Sequence, residues 1–366
     1  MDLPPPSGFT SGEQVLRFIA KKPASRSDIA QSLEISRTSL SRALDSVASF
    51  ITIESEPGED PDRPVDILKF DDSVAYMVGM DLARSTSSAV MLDRLGEPIV
   101  ETSFPSSMFG TAEERTQELC ERLMKQAEER GVSIDRICRV GLGIPMPVGK
   151  RQAVKMRARN QLFPIIHSFW DAPILIDNSV RFGALGEAYW GAGKGAPSQF
   201  YLRLSKSVGG CLLTDSHHAL PGKLCEFGHI SIPGETEKCN CGKLGCVETI
   251  TTIQAICKNA EVANADELRE ALKNKDPKAR EAVARAAKAV GWALGMVVFV
   301  SNPQLIICSG EVVEVIPGFL RKVEEELFAQ LMPNYPHVFA VTSAQLVVGA
   351  ALGAAFASDL HCSNNW

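Results

Sequence analysis

The stretch Cys239-Asn240-Cys241-Gly242-Lys243-Leu244-Gly245-Cys246 constrains this chain more than any other. Three thiols fall within eight residues, and two glycines let the backbone fold into a knuckle around them. His229 stands ten residues upstream, in Glu226-Phe227-Gly228-His229. Three sulfurs and one imidazole nitrogen make a closed tetrahedral set, and closed sets of this kind serve structure rather than catalysis. Thiolates suit zinc far better than magnesium or calcium. The alternative, a chance cluster of reduced buried thiols, gives the C-x-C-x4-C spacing little packing rationale. One structural zinc ion on His229, Cys239, Cys241 and Cys246 is therefore expected. Cys120, Cys138, Cys211, Cys225, Cys257, Cys308 and Cys362 show no such spacing and read as structural or incidental.

Thiols kept for metal imply a reducing compartment. The opening residues, MDLPPPSGFTSGEQ, have neither the basic nor the apolar segment of a secretory leader. No long apolar run is free of charges and breakers, so a cytoplasmic chain with no membrane span is expected. Across 366 residues, 45% are hydrophobic and 22% charged, ordinary globular values that exclude disorder and fibrous architectures. A net charge of −6 excludes a surface basic all over, but not a local DNA-binding module.

Two regions differ in pattern. Residues 1–73 hold a proline-containing lead, three short helical patterns and two strand-like runs. Capping boxes start the first two helices, at Ser11 with Gln14 and at Ser25 with Asp28. The turn Glu34-Ile35-Ser36 leads to the third helix, whose apolar face is Leu40, Leu44 and Val47. Ile51 and Ile53 begin a hairpin that returns through Val65, Ile67 and Leu68, with Pro57, Gly58, Pro61 and Pro64 at its tip. This order is that of a winged helix-turn-helix. Residues 74–366 alternate strand and helix patterns in the α/β manner: strands at Met77–Asp81, Ala89–Leu92, Val140–Ile144, Ile174–Ile176 and Ile306–Cys308, a hairpin over 199–214, helices over 112–130, 180–190 and 250–300, and a closing small-residue helix from Gly349.

The order Glu226-x-Gly228-His229, then Cys239-x-Cys241-Gly242-x-x-Gly245-Cys246-x-Glu248, resembles the ROK family of repressors, open reading frames and sugar kinases. Gly141-x-Gly143-x-Pro145, Asp177-Asn178-Ser179, Ala184-Leu185-Gly186-Glu187 and the closing helix extend the resemblance over about residues 75–358. It implies an actin-like (ribonuclease H-like) two-lobed sugar-kinase fold behind the winged helix, with a sugar cleft between the lobes and zinc bracing one wall. It also places Asn178, Glu226, His229 and Glu248 at the hydroxyls of a sugar or sugar-phosphate effector. Lys206 and Arg181 add positive charge near that cleft, as effector contacts or as solvated surface groups.

The family's kinases carry Asp-x-Gly-Gly-Thr after the opening strand, a Gly-Thr-Gly phosphate loop, and a carboxylate base after the asparagine. Here those places hold Asp81-Leu82-Ala83-Arg84-Ser85, Ser205-Lys206-Ser207 and Ser179. Side chains at 83 and 84 crowd a backbone that must approach phosphate closely, and a serine hydroxyl is no base near neutral pH without a partner. Loss of all three predicts a protein that is not an enzyme and has no catalytic residues. A sugar kinase with a vestigial DNA-binding head is the disfavoured alternative.

In the head, Ser36, Arg37, Thr38, Ser39, Ser41 and Arg42 open a recognition helix for double-stranded operator DNA, and Arg63 in the wing is placed to reach a minor groove. Residues 12–50 contain six Lys/Arg and four Asp/Glu, whereas Glu54–Asp66 is strongly acidic, which repels phosphate and throws the binding onto the helix. The expected protein is a transcriptional regulator, a repressor by resemblance, acting as a homodimer or dimer of dimers. Control by a protein partner instead of a sugar remains open at this level.

Overall fold

The computed structural model describes residues 11–48, 51–56, 65–70, 76–93, 95–132, 134–146, 151–214, 222–335 and 339–363. Its first elements are α1 (Ser11–Lys21), β1 (Ala24–Ser25), α2 (Arg26–Ser32), α3 (Arg37–Ser46), β2 (Ile51–Glu56) and β3 (Val65–Phe70). The Ser25 hydroxyl accepts from the Asp28 amide while the Asp28 carboxylate accepts from the Ser25 amide, so the expected capping box starts α2. Glu34 takes φ +53°, the left-handed region where glycine is cheaper, and the Ser36 hydroxyl then caps α3 by accepting from the Ser39 amide at 3.1 Å. Val15, Ile19, Ile29, Leu40, Leu44 and Leu68 pack beneath these helices. The short β1 pairs with β3, giving the order β1-β3-β2. Two residues are too few to show an alternating pattern, so this strand was not legible in the sequence. Three helices and a small antiparallel sheet thus follow one another in the order expected from the sequence. Arg63, the tip prolines and Gly58, and the expected 73/74 boundary lie outside the described residues.

The body repeats one topology. β4 (Tyr76–Leu82), β5 (Thr86–Leu92), β6 (Pro98–Pro105), β7 (Ile137–Ile144) and β8 (Ile174–Asn178) form a sheet ordered β6-β5-β4-β7-β8. β9 (Ser198–Leu204), β10 (Val208–Thr214), β11 (Lys223–Cys225), β12 (Leu305–Ser309) and β13 (Ala340–Ser343) form a second, ordered β11-β10-β9-β12-β13. In each, a three-strand antiparallel meander is extended by two parallel strands. This duplication is the actin-like architecture.

Helices α4 (Ala112–Glu129), α5 (Arg151–Gln161) and α6 (Phe163–Phe169) serve the first sheet, covering it with Leu119, Leu123 and Ile166. The second sheet carries α8 (Glu248–Thr251), α9 (Ile253–Asn259), α10 (Ala265–Lys273), α11 (Pro277–Ser301), α12 (Glu311–Val315) and α13 (Phe319–Phe328). α11 is long and apolar enough to cross a membrane by length and composition, yet Val283, Val290, Leu294 and Val298 lie in this lobe's own core.

α7 (Ser179–Trp190) and α14 (Gly349–Ser363) run between the sheets. Ala351 and Ala355 face Met77 and Val90 on one side, while Ala354 packs with Phe182, Tyr201 and Ile307 on the other. A Cβ at Gly186 would sit 1.9 Å from the Gly349 carbonyl oxygen, so the two helices touch backbone to backbone. That closeness is why the last helix is built of small residues.

One turn joins body to head. Asp93 Oδ1 accepts from the amides of Leu95 and Glu97, tightening the β5–β6 connection. Leu95 packs against the head's apolar core, and Trp190 Nε1 donates to the Gly96 carbonyl at 2.9 Å. The far end of α7 thus holds the turn on which the head rests.

Candidate functional site

After β11 the chain makes a single turn at Phe227–His229 and then the cysteine knuckle, which two isolated bridges, Ser231 with Cys246 and Lys238 with Leu244, hold closed. Gly245 takes φ +65° with the Glu235 carbonyl only 2.2 Å from where a Cβ would stand, so no other residue fits this corner. The ligand atoms of His229, Cys239, Cys241 and Cys246 all lie within 4.8 Å of one another. His229 Nδ1 is 3.6 Å from Cys239 Sγ, and the sulfurs of Cys241 and Cys246 are 3.7 Å apart. Zinc bonds near 2.3 Å to sulfur and 2.0 Å to nitrogen, at tetrahedral angles, require edges of roughly 3.5–3.8 Å. The four residues fit a metal ion of that kind. Because Nδ1 faces the sulfurs, Nε2 is left for the other side, where it lies 3.9 Å from Glu226 Oε2.

That other side is a cavity of about 360 Å³ between the lobes, within the ordinary range of small-molecule sites. Asn178, Glu226, His229 and Glu248 all line it, so the structure brings together the four residues expected at a sugar. Two are already engaged locally. Asn178 caps α7 through Oδ1, which accepts from the Val180 amide, and its Nδ2 donates to the Met146 carbonyl at 2.7 Å. Glu248 Oε2 accepts from the Val208 amide at 3.0 Å, which ties α8 to β10. Each keeps hydrogen-bonding capacity for a ligand: one amide hydrogen on Asn178 and the other oxygen of Glu248.

The opposite wall carries polar groups engaged with one another across longer distances. The Ala83 carbonyl is pinned by the Ser106 hydroxyl at 2.7 Å and by Arg115 at 3.0 Å, with Arg84 exposed beside it. Arg203, next to the last residue of β9, reaches across the lobes to Asp81 on β4, Nη1 to Oδ2 at 3.4 Å, with Asp81 almost wholly buried. Burial pushes the Asp81 carboxyl up from its ordinary range, and the guanidinium pulls it back. Sequence reading missed this pair. The available signal was an arginine inside Phe200-Tyr201-Leu202-Arg203-Leu204, which a buried strand tolerates only with a partner. Arg203, Ser85 and Lys206 also line a second cavity, of about 310 Å³, and so form the partition between the two.

Arg181 is corrected here. It does not line the cleft: its Nε lies 3.5 Å from Asp177 Oδ2, one helical turn back, and the pair occupies both charges. Asp177 does not line the cavity, and the carboxyl that stands beside Ser179 is that of Asp81.

On the head, α3 buries Leu40, Ala43 and Leu44 and exposes Ser36, Arg37, Thr38, Ser39, Ser41 and Arg42. The six described residues expected at DNA are thus all exposed to solvent.

The model of the ROK family matches residues 78–358. A glucokinase of Halalkalibacterium halodurans is 26% identical over 289 residues, covering 71% of this chain and 87% of the kinase. A xylose repressor of Caldicellulosiruptor bescii is 22% identical over 338 residues and covers 84% of each chain. Among solved structures, a ROK family transcriptional regulator, a homologue of the Mlc protein of E. coli, superposes with a TM-score of 0.71 at 19% identity, covering 96% of this chain and 97% of that one. The chain belongs to the ROK family.

Proposed function

We propose that this ROK protein is a DNA-binding transcriptional regulator, a repressor, whose kinase-like body senses a sugar-derived effector and does not transfer phosphate. The observation that carries the reading is the pairing of an exposed polar recognition face on α3 with a phosphate wall closed by Arg203 and Asp81. The xylose repressor and the Mlc-like regulator, both matched from head to body, support it. The glucokinase likeness supports a kinase reading only outside the head, and Ser179, Arg84 and Arg203 oppose that reading at the places where phosphate and base must act.

In this reading His229, Cys239, Cys241 and Cys246 hold one structural zinc ion. The metal braces the sugar wall and leaves His229 Nε2 toward the effector, linking ligand and metal through one imidazole. Asn178, Glu226, His229 and Glu248 bind the effector's hydroxyls. A ligand that favours one arrangement of the lobes shifts the population of both. The route to the head is physical: Asn178 caps α7 at the cleft, and Trp190 at its other end holds the Leu95 turn. Two heads from a homodimer would meet a palindromic operator.

The test is operator binding across salt concentrations. Arg37, in the first turn of α3, reads a base, and Arg37→Ala is expected to cost about 1–3 kcal/mol and relax one base position. Arg42 grips phosphate, and Arg42→Ala is expected to weaken all sequences alike, lowering the salt slope by about one. If neither substitution changes binding to the protein's own operator, α3 is not the reading helix. Leu95→Ala is expected to keep both DNA and effector binding but to reduce the effect of one on the other, which a mere surface residue would not do.

A further inference from the structure

We infer that the basic helix α5, on the outside of the first lobe, is a second DNA-binding surface. It holds phosphates of duplex beyond the stretch that α3 reads, without regard to sequence. The inference rests on the DNA-binding reading above and adds a site to it.

Charge is distributed the wrong way round for a regulator whose head alone holds DNA. The first 73 residues carry eight Lys/Arg and thirteen Asp/Glu, a net charge of −5. Much of the affinity for duplex comes from cations that displace counterions from phosphate, and a negative head forfeits that contribution. The missing charge lies elsewhere. Between Asp135 and Asp171 stand seven Lys/Arg and not one Asp/Glu. Four of the seven, Arg151, Lys155, Arg157 and Arg159, fall on the eleven-residue α5.

The fold leaves these cations unspent. Ala158, with Leu162 just past the helix, packs with α4 and α6 on one face of the first sheet, while α14 covers the other. Helix α5 therefore lies on the outer side of the lobe on which the head rests. Arg157 and Arg159 are exposed and Lys155 is half-buried. None of the four forms an ion pair among the described residues, and Arg151 Nε is buried with no hydrogen-bond partner. By contrast, Lys258, Lys273, Lys278 and Arg285 on the second lobe each meet a carboxylate. No α5 cation lines either cavity, so the effector site does not account for them. Arg151, Lys155 and Arg159 recur every four residues and climb one side of the helix in steps of about 6 Å. Phosphates of one strand rise by about 3.4 Å per nucleotide, so this spacing suits every second phosphate.

The chemistry of the face selects the partner. Its single exposed large apolar side chain is Met156. A protein interface is built on apolar or aromatic anchors, and a lipid surface requires an apolar helix face. Regularly spaced cations without such anchors fit a regularly spaced polyanion, and the one that a DNA-binding regulator meets is the duplex itself.

The experiment uses the full-length, zinc-loaded protein and a random-sequence duplex of about four helical turns, roughly 40 base pairs, titrated by fluorescence anisotropy across salt concentrations. The triple variant Lys155→Gln, Arg157→Gln, Arg159→Gln is expected to bind about tenfold more weakly or worse at low salt. Its slope of log affinity against log salt is expected to fall by about two to three, close to one per lost phosphate contact. Should the triple variant melt early, Arg157→Gln with Arg159→Gln alters only exposed side chains and is expected to lower the slope by about one to two. Lys273→Gln, Lys278→Gln and Arg321→Gln together remove the same charge from exposed sites on the second lobe, and are expected to leave the slope unchanged. An unchanged slope in both α5 variants overturns the second surface and leaves the α3 reading to its own Arg37 and Arg42 test. An equal fall in the second-lobe variant assigns the effect to overall charge and overturns the site. Poly-L-glutamate that displaces the duplex as well as unlabelled duplex does overturns DNA as the partner. A native chain that binds neither random nor operator duplex at any salt concentration overturns both this inference and the DNA-binding reading beneath it.

Discussion

The two walls of the interlobe cleft were built by different means. At the cysteine knuckle and at the start of α7, the groups that face the cavity are held by short, local contacts: Asn178 on Val180 and Met146, Glu248 on Val208, His229 beside its three cysteines. On the phosphate side, a long-range ion pair, Asp81 with Arg203, fills the space. The first wall is held by local contacts, the second by an ion pair between the lobes. In the proposed regulator, effector recognition and phosphoryl transfer therefore depend on separate sets of contacts.

Removing the metal is the strongest way to break this contrast. Structural zinc sites supply binding energy that is also folding energy, about 10 kcal/mol or more in zinc-finger peptides. Chelation, or Cys246→Ser, is expected to lower the melting temperature sharply and abolish effector binding, with elemental analysis showing one zinc per untreated chain. A stoichiometry well below one in protein never exposed to chelator refutes the zinc assignment. Next in size, Arg203→Met leaves Asp81 buried without its counter-charge, which is expected to cost about 3–5 kcal/mol in denaturant unfolding. Adding Asp81→Asn is expected to recover most of that loss, whereas simple additivity of the two would show that the pair is not the unit proposed.

The pH dependence of Arg203→Met sharpens the same point. Burial already raises the Asp81 carboxyl above its unfolded value. Without the guanidinium it rises further, so the folded state takes up a proton before the unfolded state as pH falls. The variant's deficit is therefore expected to be largest at neutral pH and to shrink through the acid range just above the ordinary carboxylate value. A deficit independent of pH would assign the loss to packing alone. The smallest expected effect is none. Neither the native chain nor Ser179→Asp is expected to hydrolyse ATP in response to any hexose, because Arg84 and Lys206 still occupy the phosphate turns. Sugar-dependent turnover by either protein would show that the second wall is functional after all.

Legibility in the sequence followed the distance between partners. The metal set spans eighteen residues, and its thiol spacing announces the geometry. The capping box at Ser25 and Asp28 and the helix starts at Ser36 and Asn178 were equally local. Asp81 and Arg203 stand 122 positions apart in sequence, so no window contains both. Arg181 was misjudged because its charge was counted without its neighbour Asp177, which a one-turn helical spacing could have supplied. The duplicated sheets left no trace as a repeat, since what recurs is strand order and not side chains. The two-residue β1 and the three-residue β11 are recognisable only by what they pair with.

The backbone contact between α7 and α14 carries a geometric consequence. Helices separated by a gap can slide or bow, but Gly186 lets these two lie against each other with no side chain between. Close backbone contact of this kind stiffens the pair against sliding and bowing. Twelve residues span about 18 Å at 1.5 Å per residue. A tilt of about five degrees about the Asn178 end displaces the Trp190 end by roughly 1.5 Å, the size of helix shift that carries a packed interface from one discrete arrangement to another. In the proposed sensor the cleft end of α7 is the pivot of that tilt, and the turn that carries Leu95 sits at the moving end.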